Sequence, residues 1–253
     1  MQQPTDSKSP LEVLVWGSGP RVVLVHGATL NGPLTWSQQR PLGERWRLEV
    51  VNRRGYGNSP APTVRSDFEE DAHDIAELLG DGAHLVGISY GGIVALYAAA
   101  LQPRAVRSLT VIEPAAFRLA KGNAAADAKT AAMAAISADL EPRAFLEAFR
   151  QVIKSGLPPA PDPLPPQLEQ GVRTTMASRP PSEADIPLDA LKRTSFPKLV
   201  VSCENDPAFE AVCDVLHREL KTERAIIREA GHAVPLTAAG PFNERLEAFL
   251  KRA

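Results

Sequence analysis

The chain has 253 residues, 44% of them hydrophobic and 23% charged, enough for one globular unit with a sizeable core or a core carrying an inserted subdomain. A net charge of -2 leaves no basic excess to neutralise phosphates, which argues against nucleic acid as a partner. Two cysteines, Cys203 and Cys213, are too few for a disulfide framework and fit a reducing compartment as buried thiols.

Residues 1–10 are polar and proline-containing without an apolar h-region, so neither a signal peptide nor an anchor is expected. The longest uncharged stretch, residues 85–101, falls just short of a membrane span and is broken by Gly87, Ser89, Gly91 and Gly92. A soluble, cytoplasmic protein with no membrane partner is the expectation. Residues 11–16 and 21–26 are strand-like, and the turn cluster Gly17, Ser18, Gly19 and Pro20 would let them pair as a hairpin. After the second run, His26, Gly27, Ala28 and Thr29 open a loop at a strand's carboxyl end, where open α/β sheets place ligands. The N–H of Ala28 is there a candidate donor to an oxyanion, although a His-Gly pair can equally be a simple turn.

Residues 47–51 read as a further strand, and 52–60, rich in glycine and asparagine, as the loop after it. Residues 66–69 resemble a capping box, and Phe68, Ala72, Ile75 and Leu79 keep helical spacing up to Gly80. Next comes the stretch HLVGISYGGIVALYAAAL over residues 84–101, an apolar strand run followed by an apolar helix run with Ser89 on the turn between them. Such a turn strains its central residue and needs almost no side chain two positions to either side, which Gly87 and Gly91 provide. The hydroxyl is then lifted above the strand ends, with the first N–H groups of the helix aimed at whatever it attacks. Residues 106–112 form another strand, and strands alternating with helices imply a parallel sheet.

After Glu113 and Pro114 the texture changes. An alanine-rich segment over residues 124–138 is followed by an amphipathic helix over 142–154, with Phe145, Phe149, Val152 and Ile153 on one face. Residues 157–166 contain six prolines in ten positions, which favours stiff extended backbone inside a connector. Residues 115–192 are therefore read as an insertion over the sheet ends. The core resumes with a strand at 198–202, which leaves Asp206 at a strand's carboxyl edge, and with a helix to about residue 220. A strand at 225–228 leads to Gly231 and His232, and a closing helix carries Phe242, Leu246, Phe249 and Leu250 on one face.

A serine hydroxyl needs a base to take its proton, imidazole suits that task, and a carboxylate must hold the imidazole's other nitrogen. Among five histidines, His73 and His217 fall on helices, His84 begins a strand and His26 sits in the loop of Ala28, so His232 is the candidate base. Asp206 is the preferred acid, for its Asn-Asp-Pro setting and short side chain. Glu113, after the strand ending near residue 112, is the alternative acid.

With the His26-Gly27 loop, the loop over residues 54–59, the turn from Gly87 to Gly92, the Asp206 loop and Gly231-His232 in this order, the chain resembles the α/β-hydrolase superfamily, in its serine esterase-like branch. The resemblance implies an α/β fold with a mostly parallel central sheet flanked by helices. Residues 1–114 and 193–253 would form the core and 115–192 a helical cap. It implies catalytic Ser89, Asp206 and His232, and an oxyanion hole made of the backbone N–H groups of Ala28 and Tyr90. Asn52 stands where the family usually carries aspartate, a departure expected to bear on loop packing. Ester-type hydrolysis (carboxylester, thioester or lactone) of a small molecule through an acyl-enzyme is the implied reaction. No cofactor and no metal is expected. A carbon-carbon bond hydrolase of the β-diketone type, and a small-ligand receptor with slow or no turnover, remain as alternatives.

Overall fold

The computed structural model of the chain describes residues 10–253; the absence of an N-terminal signal, read from residues 1–10, falls almost wholly outside them. Among the described residues seven strands form one sheet: β1 (Val13–Trp16), β2 (Arg21–Val25), β3 (Arg47–Val51), β4 (Ala83–Ile88), β5 (Val106–Ile112), β6 (Lys198–Ser202) and β7 (Glu223–Ile226). Their spatial order is β1-β3-β2-β4-β5-β6-β7. Only β1 runs antiparallel, pairing Val13 with Val51 of β3. The expected hairpin of the first two runs does not form, because β3 lies between β1 and β2 and takes the backbone pairing of both. The turn at Gly17 and Gly19, both at positive φ, carries the chain past that intervening strand.

Period-two alternation builds three layers. Val23, Val25, Leu85, Val111 and Val200 face one side, where they pack with α2 (Phe68–Leu79), α3 (Tyr90–Leu101) and α8 (Pro207–Leu220). Val22, Leu24, Val86, Ile112 and Val201 face the other, against Trp36, Trp46 and the apolar stripe of α10 (Ala239–Leu250). Short helices α1 (Gly32–Thr35) and α9 (Val234–Thr237) follow the loops after β2 and β7. Helix α2 begins where the spacing places it, but its cap is Asp67, which accepts from the Glu69 N–H, while Ser66 is buried.

Between β5 and β6 the chain adds α4 (Ala124–Ala134), α5 (Pro142–Val152), α6 (Pro166–Met176) and α7 (Leu188–Lys192). Phe145, Leu146, Phe149 and Ile153 meet Leu168 and Val172 in an apolar cluster of their own, with Ala28 and Leu30 packed against it. Residues 157–165, the proline-rich run, hold neither helix nor strand. Ile186 and Leu191 return to the cluster of α2, α3 and α8, so the far end of this segment is anchored in the main core. No helix of the described residues is long and apolar enough to cross a membrane.

Candidate functional site

The parallel strands end in register: Val25 pairs with Gly87, Ile88 with Ile112, and Ile112 with Val201. The loops after β2, β4, β5 and β6 therefore leave from one sheet edge. Four non-glycine residues in these loops hold left-handed backbone, Thr29 (φ 63°), Ser89 (φ 55°), Glu113 (φ 39°) and Glu204 (φ 58°). Each such conformation costs about 1–3 kcal/mol and persists only where surroundings enforce it, a pattern typical of functional sites. At Ser89 the enforcement is visible. Its N–H is bonded to the Ile112 carbonyl (2.9 Å) and its carbonyl accepts from Ala115 (3.2 Å). A Cβ on Gly87 would overlap the Gly91 carbonyl, and one on Gly91 would overlap the His26 carbonyl. Both glycines are thus required by close backbone approach.

Ser89 begins α3 without capping it by its side chain. The N–H groups of Tyr90, the first helical residue, and of Ala28 have no acceptor among the described residues. The Ala28 loop is held by Arg53, whose buried guanidinium donates to the carbonyls of His26 (3.2 Å) and Gly27 (2.8 Å) and to Asp71 (2.6 Å). His26 is not a base here. Its Nε2 accepts from the Arg53 N–H and its Nδ1 donates to the Gly27 carbonyl, while burial, reinforced by the Arg53 charge, holds the ring well below the usual imidazole range. Asn52 does serve packing: Oδ1 accepts from Gly32 (2.8 Å) and Nδ2 donates to Glu12 (2.6 Å).

His232 lines one small cavity together with Ser89. Its N–H and that of Ala233 are bonded to the Lys154 and Ser155 carbonyls (3.0 Å each), and the Phe209 ring of α8 stacks on the imidazole with centroids 4.1 Å apart. The imidazole Nδ1 is 2.7 Å from Oε2 of Glu113, and both side chains are buried. With Nδ1–H donating to a carboxylate, Nε2 carries the lone pair, and it is a buried nitrogen with no hydrogen-bond partner among the described residues.

Asp206, the preferred acid, makes no hydrogen bond to His232 among the described residues, whereas Glu113, the alternative, does. Asp206 caps α8, its Oδ1 accepting from the Ala208 N–H (3.0 Å), and Oδ2 takes the ammonium of Lys129, which also donates to the Val152 carbonyl. Lys154 Nζ lies 4.0 Å from the same oxygen. A carboxylate this buried needs a partner, and the lysine of α4 supplies it. Glu113, the alternative acid, has the extra methylene that lets it span from the end of β5 past the end of β6. Its Oε1 accepts from the N–H (3.0 Å) and the thiol (2.9 Å) of Cys203. Burial, with the Glu113 charge second, pushes the Cys203 thiol far up, so it stays protonated and donates.

Residues 22–245 match the Alpha/beta hydrolase family. The chain belongs to that family. The pimeloyl-[acyl-carrier protein] methyl ester esterase of Aeromonas hydrophila subsp. hydrophila is 36% identical over 98 residues, 38% of this chain and 39% of that protein. These matched stretches thus span about two fifths of the Aeromonas relatives. The enzyme of the same name from Vibrio cholerae is 28% identical over 252 residues, covering 94% of this chain and 97% of its own. An esterase from Exiguobacterium antarcticum shares the fold with a TM-score of 0.76 at 24% identity, over 95% of each chain.

Within this alpha/beta hydrolase, sequence reasoning missed Arg53, Lys129 and Cys203. Arg53 had a signal, since an arginine amid a glycine-rich loop has no helix or strand role of its own. Lys129 had none, lying in an alanine-rich helix like any exposed lysine. Cys203 was read only as a buried thiol; it and Cys213 are both buried and free.

Proposed function

We propose that this alpha/beta hydrolase cleaves an ester-type bond through an acyl-enzyme, with Ser89 as nucleophile, His232 as general base and Glu113 as the carboxylate that orients it. The observation that carries the reading is the His232 imidazole, fixed through Nδ1 to buried Glu113 while Nε2 is unpartnered in the cavity it shares with Ser89. In that tautomer Nε2 takes the Ser89 proton as the oxygen attacks the acyl carbon, and the carboxylate stabilises the imidazolium that forms. The free N–H groups of Ala28 and Tyr90 are the donors for the tetrahedral oxyanion, a term worth about 10²- to 10³-fold in kcat per donor. Residues 115–192 act as a helical cap over the rest of the described chain, screening the site from water. The names of the relatives, methyl ester esterases, support an ester substrate.

The test is labelling of the purified protein with a fluorophosphonate, beside hydrolysis of p-nitrophenyl butyrate. Wild type labels at Ser89 and turns over, and Ser89→Ala loses both. A wild-type protein that binds small ligands yet neither labels nor turns over is a receptor, which overturns the reading.

A further inference from the structure

Two cavities meet at Ser89 and differ sixfold in size. One, of about 50 Å³, is lined by His232. The other, of about 300 Å³, is lined by Tyr90 and not by His232. Ala28, Ser89, Phe149 and Ile153 border both. From this asymmetry, and resting on the hydrolase reading above, we propose that the substrate joins a bulky, uncharged, apolar acyl group to a small alcohol, with the acyl group in the large cavity and the alcohol in the small one.

The chemistry decides which half goes where. When the tetrahedral intermediate collapses, the carbon-oxygen bond to the alcohol breaks and the departing oxygen takes the proton that His232 Nε2 accepted from Ser89. The leaving alcohol must therefore lie against His232, in the small cavity. The acyl carbon stays bonded to Ser89 Oγ, and its chain extends past Tyr90 into the large one. Water then attacks that carbon, gives a proton to His232, and releases the acid and the Ser89 hydroxyl.

Size and lining set the class. An apolar cavity of about 150 Å³ holds one benzene, so the large cavity takes about two rings or a medium-length chain, whereas the small one takes only a few heavy atoms. Phe117, Met133, Ile136, Phe145 and Met176 supply apolar wall. Among the described residues no charged side chain lines it. Three of its hydroxyls are committed as donors to backbone carbonyls, Thr130 to Ala126 (2.9 Å), Thr175 to Gly171 (2.8 Å) and Ser178 to Thr175 (2.7 Å), and Ser182 adds a neutral hydroxyl rather than a cation. A carboxylate in the acyl chain would lose its hydration there without a cation to replace it.

The experiment uses isomeric esters of equal composition, methyl nonanoate and octyl acetate, measured below their solubility limits, with monomethyl nonanedioate as the charged counterpart. The expected kcat/KM for methyl nonanoate exceeds that for octyl acetate by tenfold or more. Each methylene added to the acyl side from methyl butanoate multiplies it by about three to four until the cavity is full. Monomethyl nonanedioate is at least tenfold poorer than methyl nonanoate. Octyl acetate equal or better overturns the placement of the two halves, and a dioate as good as the nonanoate overturns the apolar class. If neither methyl butanoate nor methyl nonanoate is hydrolysed and Ser89 takes no fluorophosphonate, the hydrolase reading falls and this inference with it. Labelling and turnover with the reversed preference sink this inference alone.

Discussion

The loops leaving β5 and β6 each bring one buried carboxylate to the same sheet edge, and the two are used in opposite ways. Glu113 meets an imidazole, a backbone N–H and a thiol, all of which leave its charge available to His232. Asp206 meets the ammonium of Lys129 from α4 and the N-terminus of α8, so its charge is already matched. A carboxylate compensated in this way holds segments together, here α4 and the end of α5 to the core, rather than steadying an imidazolium. Strand-end position brings a side chain near the site, but the neighbours that satisfy it decide its role.

The largest expected effect in this comparison is on turnover. Glu113→Gln offers an amide where Nδ1–H needs an anion, and kcat for p-nitrophenyl butyrate should fall by roughly 10⁴-fold, as when the equivalent carboxylate is neutralised in serine proteases. Asp206→Asn should keep kcat within about tenfold of wild type but lower unfolding stability in urea by about 3–5 kcal/mol, since Lys129 is left as an uncompensated buried charge. Adding Lys129→Met to Asp206→Asn should recover part of that loss. A kcat collapse in Asp206→Asn with stability intact would reverse the assignment.

The smallest effect concerns Cys203. Cys203→Ala removes the thiol donor from Glu113 Oε1 and leaves the backbone one, so kcat/KM should fall by roughly tenfold, the usual scale for a hydrogen bond to a charged group. Cys203→Ser restores the donor and should return kcat/KM to near the wild-type value. A kcat/KM unchanged in Cys203→Ala would make the thiol a packing group only.

The strand-to-helix turn at Ser89 was legible because everything it needs is local: Gly87 and Gly91 lie two residues from Ser89, and apolar runs flank it. The strands at residues 47–51, 106–112 and 198–202 were legible for the same reason, as short apolar runs bounded by breakers. The acid was not. Glu113 and His232 are 119 residues apart, Lys129 and Asp206 are 77 apart, and no spacing rule links either pair. The Asn-Asp-Pro setting that favoured Asp206 describes a helix cap, which Asp206 does form. The hairpin failed on similar grounds: the turn residues between β1 and β2 are real, but which strand fills the gap is decided by the whole sheet.

The most direct test of the central claim, that Glu113 and not Asp206 holds the base, is the proton NMR signal of the His232 Nδ1–H. A proton shared with a buried carboxylate is strongly deshielded and shielded from exchange. The account predicts a far-downfield resonance in wild type and in Asp206→Asn that disappears or moves sharply upfield in Glu113→Gln. A resonance that survives Glu113→Gln and is lost in Asp206→Asn would contradict it.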